Sequence, residues 1–308
     1  SKSKKKYLMF GFHDRTICQM NRPKFFIATG CSYTQALAED TWPVQVHRNL
    51  SLSNEQVRLG GIGAGGNYII STRTISYVTE ALKKHKPEDI LVGIMWSGCN
   101  RKEVYLHKFP GEDQCHTFCW DNDISRINDT NYNKILLKQR SEMMLWPTTI
   151  GNPYFNYYAI NGEWTDPLTN SYMENFSDPI GAVIETCEHI LRTQWFLEKH
   201  KIKYFMTEYD NDVFAYLRRK NDSRINFWDN NPKVIEHPDV AYLYKQIDKT
   251  YWLPIQHMAD WVRKNCKDLP YRVPVPPMKK DPHPGTEQHQ RFAEQVILPF
   301  LLEKYNIS

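Results

Sequence analysis

Residues 24–34 are KFFIATGCSYT, an apolar run that stops at a glycine and continues into small and polar side chains. A short run of aromatic and aliphatic residues that ends in this way is typical of a buried β-strand. Similar runs alternate with segments at helical spacing: strands near 56–59, 90–96 and 202–206, and helices near 42–50, 68–85, 182–200 and at the C-terminus. This alternation predicts a parallel sheet with helices on both faces.

A serine stands just past the first predicted strand, and an acid and a histidine lie close together near the other end of the chain. They are Ser32, and Asp281 and His283 in the segment DPHP. A serine hydroxyl becomes an effective nucleophile when an imidazole takes its proton and a carboxylate orients that imidazole. Because ligands of open parallel sheets bind beyond the carboxyl ends of the strands, the three residues are predicted to form a catalytic triad. Taken singly, each also fits a structural role in a helix cap or a turn.

Two further polar segments follow predicted strands. Residues 60–67 are GGIGAGGN and residues 97–101 are SGCNR. Acyl transfer needs donors directed at the oxygen that becomes negative in the tetrahedral intermediate. The backbone N–H groups of Ser32 and Gly63 and the side-chain amide of Asn100 are the candidate donors.

Together these segments resemble the SGNH (GDSL-like) hydrolase family, whose four blocks carry Ser, Gly, Asn and His in that order. The matching positions are Ser32 in GCSYT, Gly63 with Gly61 and Gly66 as alternative registers, Asn100 in GCN, and Asp281 with His283. The resemblance covers residues 24–100 and 255–304. It implies an α/β fold, a three-layer α/β/α flavodoxin-like parallel sheet with large inserted segments, and a serine esterase that works through an acyl-enzyme.

Two positions depart from the family pattern. Arg101 stands where an aspartate usually follows the third-block asparagine, and Cys31 replaces the aspartate of the family name. The acid also precedes the histidine by two residues, where three is the commoner spacing.

A second histidine, His289, competes with His283 for the catalytic role. Flanking prolines hold His283 in a loop because they cannot propagate a helix. His289 falls on the first turns of the terminal helix, where a packing role is predicted.

The 308 residues are best explained by one catalytic domain with insertions. The predicted organisation is an N-terminal extension over 1–23 and a catalytic domain over 24–304, with a cap over 101–180 and a second insertion over 208–250. The cap is rich in aromatic, amide and acidic side chains, which suit a carbohydrate because sugar C–H surfaces stack on rings. The candidate substrate-binding residues are Tyr33, Trp96, Arg101 and Trp120.

The favoured function is therefore a carbohydrate O-acetylesterase that acts on a small-molecule or polysaccharide ester. Two alternatives remain: an O-acetyltransferase that uses the same groups, and a glycan-binding module on a degenerate scaffold. The glycine-rich loop formally satisfies GxGxxG, but it follows the second strand, whereas a dinucleotide site uses the first, so nucleotide binding is disfavoured.

Composition limits the partners and the compartment. The formal net charge of +4 has its clearest cluster in the tail from Lys2 to Lys6, and no nucleic-acid partner is predicted. No apolar stretch approaches the ~20 residues that cross a bilayer, and no secretory apolar region opens the sequence, so a soluble protein is expected and its location stays open. The assembly state is likewise open.

The seven cysteines form no dense framework, and an odd number cannot all pair within one chain. Cys115 and Cys119 could pair or bind a metal with nearby histidines. A structural zinc normally needs four ligands, and no second pair is evident, so neither a metal nor another cofactor is predicted.

Overall fold

The computed structural model describes residues 22–35, 40–63, 65–105, 157–161, 171–172, 175–210, 213–214, 234–255, 257–272 and 283–307. The described strands are β1 Phe25–Gly30, β2 Val57–Gly61, β3 Ile90–Trp96, β4 Arg101–Tyr105, β5 Tyr157–Asn161 and β6 Lys203–Glu208. The α-helices are α1 Trp42–Asn49, α2 Asn67–Ala81, α3 Pro179–Lys199, α4 Pro238–Tyr244, α5 Met258–Asn265, α6 Thr286–Phe292 and α7 Leu298–Tyr305. A π-helical turn, Ala293–Ile297, joins α6 to α7.

Four strands form a parallel sheet in the order β2-β1-β3-β6. Gly30 at the end of β1 is level with Gly61 of β2 and Met95 of β3, and Trp96 of β3 is level with Glu208 of β6. The carboxyl ends of these strands therefore meet at one edge. Beyond β6, Trp252 forms an isolated parallel bridge with Met206.

Helices cover both faces of this sheet. The Phe26 ring lies 6.5 Å from the Trp42 ring of α1, whereas Thr29 Oγ1 lies 2.6 Å from Thr74 Oγ1 of α2. Side chains three positions apart on a strand point to opposite faces, so α1 and α2 lie on opposite sides. The arrangement is a mixed α/β fold compatible with three α/β/α layers.

The core depends on one close approach on the α1 face. A Cβ atom on Gly93 would lie 2.6 Å from the Phe205 ring and 2.9 Å from the Trp42 ring. Those rings are fully buried and 5.7 Å apart between centroids. Glycine at the centre of β3 therefore makes room for two large aromatic side chains.

The predicted strands and long helices all occur, with shifted ends. The helix predicted over 68–85 ends at Ala81, and the chain continues through turns to a short 3-10 helix at Pro87–Asp89. The helix predicted over 182–200 begins earlier, at Pro179, because the Asp178 side chain caps it by accepting from the Gly181 N–H at 2.6 Å.

The predicted cap is only partly described. Within 101–180 the chain includes β4 and β5, which pair antiparallel as a separate two-stranded sheet. Trp120, Cys115 and Cys119 lie outside the described residues, as do residues 1–21. Of the helices described here, none is long and apolar enough to cross a membrane.

Candidate active site

Ser32 lies on a tight turn at the end of β1. The Thr34 N–H donates to the Cys31 carbonyl at 2.9 Å, which closes the turn. A Cβ atom on Gly30 would lie 2.2 Å from Thr34 Oγ1 and 2.9 Å from the Met95 carbonyl oxygen. Gly30 has no positive φ, so glycine is needed here for the close approach of the turn. The turn leaves Ser32 partly exposed at the carboxyl edge of the sheet.

His283 reaches this serine from the opposite end of the sequence. Its Nε2 atom lies 2.7 Å from Ser32 Oγ, although 251 residues separate the two. This distance is within the range for a hydrogen bond between a nucleophile and its general base. The central geometric requirement of the predicted triad is therefore met.

The loop that carries His283 is held by an adjacent segment of chain. Tyr271 and Pro284 form an antiparallel bridge, and the Arg272 N–H donates to the His283 carbonyl at 3.0 Å. Just after the loop, the buried Gln288 amide donates to the Leu269 carbonyl at 3.0 Å. These bonds give the imidazole a defined backbone from which to face Ser32.

The other nitrogen of the His283 ring has a cation beside it. Arg272 Nη2 lies 3.3 Å from His283 Nδ1. A guanidinium only donates hydrogen bonds, so Arg272 cannot be the acceptor that a triad requires at the Nδ1–H. Asp281 lies outside the described residues, and its role as the orienting acid stays a prediction. No sequence pattern singled out Arg272.

The three candidate glycines of the second block occupy different places. Gly61 ends β2, where a Cβ atom would lie 2.5 Å from the backbone of the Ser32 turn at Thr34 and Gln35. Gly66 is the N-cap of α2. Gly63 is buried in the loop between them. Its place in that loop is compatible with the oxyanion role, which stays a prediction.

Asn100 lies in the turn that follows β3, on the same edge of the sheet. The Arg101 N–H donates to the Gly98 carbonyl at 3.2 Å across this turn. The Asn100 Oδ1 atom is buried and accepts no hydrogen bond within the described part of the chain. The predicted donation from the Asn100 amide to an oxyanion is not tested by this geometry.

Asn67, the first residue of α2, fixes the loop after β3 and was missed as a site residue. Its Nδ2 donates to the Ser97 carbonyl at 2.9 Å and to Thr186 Oγ1 at 3.1 Å, and its Oδ1 accepts from the Ser97 N–H at 2.8 Å. It is 3 % exposed. An amide directly after a glycine-rich loop was the available signal.

The predicted substrate-binding residues differ in accessibility. Trp96 is fully buried, so its side chain belongs to the core of β3 and the prediction of a substrate contact is corrected. Tyr33 is 6 % exposed, and its ring centroid lies 5.0 Å from that of His283. Arg101 contacts the ring of Tyr209, a residue absent from the sequence predictions.

His289 is buried in α6, and its ring contacts α1. It is 1 % exposed, and its Nδ1 accepts a hydrogen bond from the Trp42 N–H at 3.2 Å. Burial lowers the pKa of His289 to about 3, and the charges of His283 and Arg272 act in the same direction. The predicted packing role of His289 is confirmed.

The carboxyl group of Glu103 lies next to the end of the glycine-rich loop. Glu103 of β4 accepts a hydrogen bond from the Gly66 N–H at the start of α2. Burial raises the pKa of the Glu103 carboxyl to about 7, although that hydrogen bond opposes the shift. Arg73, which is 4 % exposed, donates at 3.0 Å to the carbonyl of Gly60, in β2 just before this loop. The loop that carries Gly63 is thus held by polar groups from β4 and α2.

In comparisons with known proteins, no family model, no curated protein and no solved structure matches this chain. A functional assignment therefore depends on the chemistry of the site itself. Among the described residues, no group of three or more His, Cys, Asp or Glu side chains is arranged to hold a metal ion.

Proposed function

We propose that this chain is a serine esterase of the SGNH type, with Ser32 as nucleophile and His283 as general base. The observation that carries the proposal is the 2.7 Å separation of Ser32 Oγ and His283 Nε2. Further support comes from the sheet order β2-β1-β3-β6, which is that of the first four strands of a flavodoxin-like sheet. Trp252 bridges Met206 where a fifth parallel strand would lie.

The proposed reaction proceeds through an acyl-enzyme. Ser32 Oγ attacks the ester carbonyl carbon while its proton passes to His283 Nε2. The backbone N–H groups of Ser32 and Gly63 and the Asn100 amide stabilise the oxyanion. The imidazolium then protonates the leaving alcohol as the C–O bond breaks. Finally, His283 deprotonates a water molecule that attacks the acyl-enzyme, and the imidazolium returns this proton to Ser32 Oγ as the acyl C–O bond breaks, which releases the acid and regenerates Ser32.

In this proposal Asp281 orients His283 by accepting its Nδ1–H. Support for Asp281 comes from the sequence, where it stands two residues before the histidine.

The substrate class proposed is an O-acetylated carbohydrate. Support comes from the aromatic and amide-rich composition of residues 101–180. That segment leaves the sheet directly after β3, since β4 begins at Arg101. The predicted cap thus starts at the edge of the sheet where Ser32 lies.

The nucleophile is tested by labelling with a fluorophosphonate, which does not require the natural substrate. The wild type is expected to be labelled on Ser32 and to hydrolyse p-nitrophenyl acetate, while Ser32→Ala loses both properties. Ser53→Ala, at an exposed serine away from the site, is the matched control and should behave like the wild type. Full ester turnover by Ser32→Ala would eliminate the mechanism.

The substrate class requires a separate assay. Acetate release from an O-acetylated polysaccharide is expected from the wild type and not from Ser32→Ala. Hydrolysis of p-nitrophenyl acetate without any release from acetylated polysaccharides would contradict the carbohydrate assignment and leave the esterase assignment standing. Transfer of acetyl groups to an added glycan, in place of hydrolysis, would contradict the hydrolase assignment.

A further inference from the structure

Two tyrosines and an arginine form a continuous group beside the candidate base. We call Tyr33, Tyr209 and Arg101 the ring wall. We propose that the ring wall positions the His283 imidazole for proton transfer with Ser32, an inference that rests on the proposed esterase function.

The rings of Tyr33 and His283 lie against each other. The two ring centroids are 5.0 Å apart, with an angle of 47° between the ring planes. Rotation about the last torsion of a histidine side chain is broad, so the groups that contact the imidazole define its orientation. A packed aromatic ring restricts that rotation.

Tyr33 is itself buried. Its 6 % exposure leaves little ring surface for a substrate. Burial, followed by the negative charge of Asp210, raises the pKa of the Tyr33 hydroxyl, so this side chain is neutral at working pH. A neutral tyrosine face also favours a nearby imidazolium, the form that His283 takes when Ser32 has given up its proton.

Tyr33 packs in turn against Tyr209. The Tyr209 ring meets the Tyr33 ring edge to face, with centroids 5.3 Å apart. The Tyr209 backbone is anchored on both sides: its N–H donates to the Trp96 carbonyl at 3.2 Å, and its carbonyl accepts from the Ala259 N–H at 2.9 Å. The wall is therefore tied to the end of β3 and to the start of α5.

Arg101 contacts Tyr209 in turn. Arg101 Nη2 donates to the Tyr209 hydroxyl at 3.2 Å, and its Cζ atom lies 4.8 Å from the centroid of the Tyr209 ring. Its Nη1 donates to Ser97 Oγ at 2.8 Å. The arginine that replaces the family aspartate thus links the loop after β3 to Tyr209 and, through it, to the tyrosine beside His283.

The experiment compares substitutions that keep or remove the ring beside His283. Tyr33→Leu is expected to lower the fluorophosphonate labelling rate and kcat for p-nitrophenyl acetate by about 10- to 100-fold, the order of loss that misplacement of a reacting group produces. KM should change little, because Tyr33 is too buried to bind the ester. Tyr33→Phe should keep the labelling rate and kcat of the wild type, since it keeps the aromatic ring packed beside His283. Arg101→Met and Tyr209→Leu should lower kcat less, because they act on His283 through Tyr33.

A matched control separates positioning from a general loss of stability. Tyr77 of α2 is 8 % exposed, close to Tyr33 in burial, and its ring packs on Gly60. Tyr77→Leu should lower the melting temperature as Tyr33→Leu does, yet keep the labelling rate of the wild type. Circular dichroism checks that each variant folds.

The outcomes distinguish this inference from the function on which it rests. Failure to label Ser32 in the wild type would overturn the proposed function. Labelling of the wild type together with an undiminished rate in folded Tyr33→Leu would overturn the ring wall alone. A rise in KM with unchanged kcat would also overturn it, since that result indicates a substrate contact.

Discussion

Two histidines six residues apart, in the loop before α6 and in the helix itself, have opposite environments. His283 is partly exposed, and its Nε2 faces the hydroxyl of Ser32. His289 is fully enclosed, and its Nδ1 accepts from a backbone N–H at the start of α1. The same side chain is therefore available for proton transfer in one place and committed to packing in the other.

The difference shows that the exposure of an imidazole and the group it hydrogen-bonds determine whether it can transfer protons or serves only in packing. A general base must take up a proton and give it back near neutral pH. The burial that lowers the pKa of His289 to about 3 keeps that ring neutral, which suits an acceptor for the Trp42 N–H. His283 lies instead beside a hydroxyl that can give it a proton.

The largest expected effect comes from removing the imidazole that faces Ser32. His283→Ala should lower kcat for p-nitrophenyl acetate by at least ~1,000-fold, because no other group then takes the serine proton. The measurement is steady-state turnover of purified, folded protein. His289→Gln, which keeps an acceptor for the Trp42 N–H, is the control and should retain most of the activity. If instead only the His289 variant loses turnover, the assignment of the two rings is reversed.

The next effect concerns the group that orients His283. Asp281→Asn should lower kcat by ~100- to 10,000-fold, because an amide cannot hold the imidazole in the tautomer that accepts a proton from Ser32. Fluorophosphonate labelling should slow in parallel. Arg272→Gln is the comparison variant. It removes the positive charge near His283 Nδ1 and keeps the Asp281 carboxylate. An unchanged labelling rate in Asp281→Asn would exclude this carboxylate as the orienting acid.

Local sequence patterns were enough to predict the parallel sheet and the approach of His283 to Ser32. Buried strands and the glycine at their ends leave strong local signals, and the carboxyl ends of parallel strands meet by geometry. Tyr209 and Arg272 have no such signal. Tyr209 joins the site because β6 lies beside β3, and Arg272 joins it through an isolated bridge to the His283 loop.

The errors at helix ends and at Trp96 have different origins. Trp96 ends an apolar strand next to the polar loop, and a sequence does not reveal whether the last side chain of a strand points into the core. The Trp96 ring is fully buried because neighbouring elements pack over it. The Asp178 cap that starts α3 early was, by contrast, a local signal that the periodicity of the helix obscured.

A smaller effect, on stability, is expected from removing the buried ring. His289→Ala should reduce the free energy of unfolding by about 2–4 kcal/mol, because it leaves a cavity and an unsatisfied Trp42 N–H. Urea denaturation at pH 7.5 measures this loss. Activity per folded molecule should stay near that of the wild type. His289→Gln should lose less stability than His289→Ala, and equal losses would show that the hydrogen bond to Trp42 contributes nothing.

The smallest expected effect is the dependence of this stability on pH. The pKa of His289 is about 3 in the folded chain against an ordinary 6.5. Between these values the unfolded chain binds more protons, so the free energy of unfolding decreases as the pH falls below about 6.5, by at most ~1.4 kcal/mol per pH unit. His289→Gln lacks this contribution, and urea denaturation at pH 5.5 and 7.5 should give a smaller decrease for the variant.

Glu103 also makes the free energy of unfolding depend on pH, with the sign opposite to that of His289. Comparison of the wild type with His289→Gln removes this contribution. Its pKa of about 7 lies above the ordinary 4.5, so in that interval the folded chain binds more protons and stability falls as the pH rises. Because Glu103 is present in both proteins, its contribution cancels in the difference. Equal pH dependence in the wild type and His289→Gln would mean that His289 is protonated in the folded chain at pH 5.5. The contrast between an enclosed, neutral ring and a ring available for proton transfer would then no longer hold.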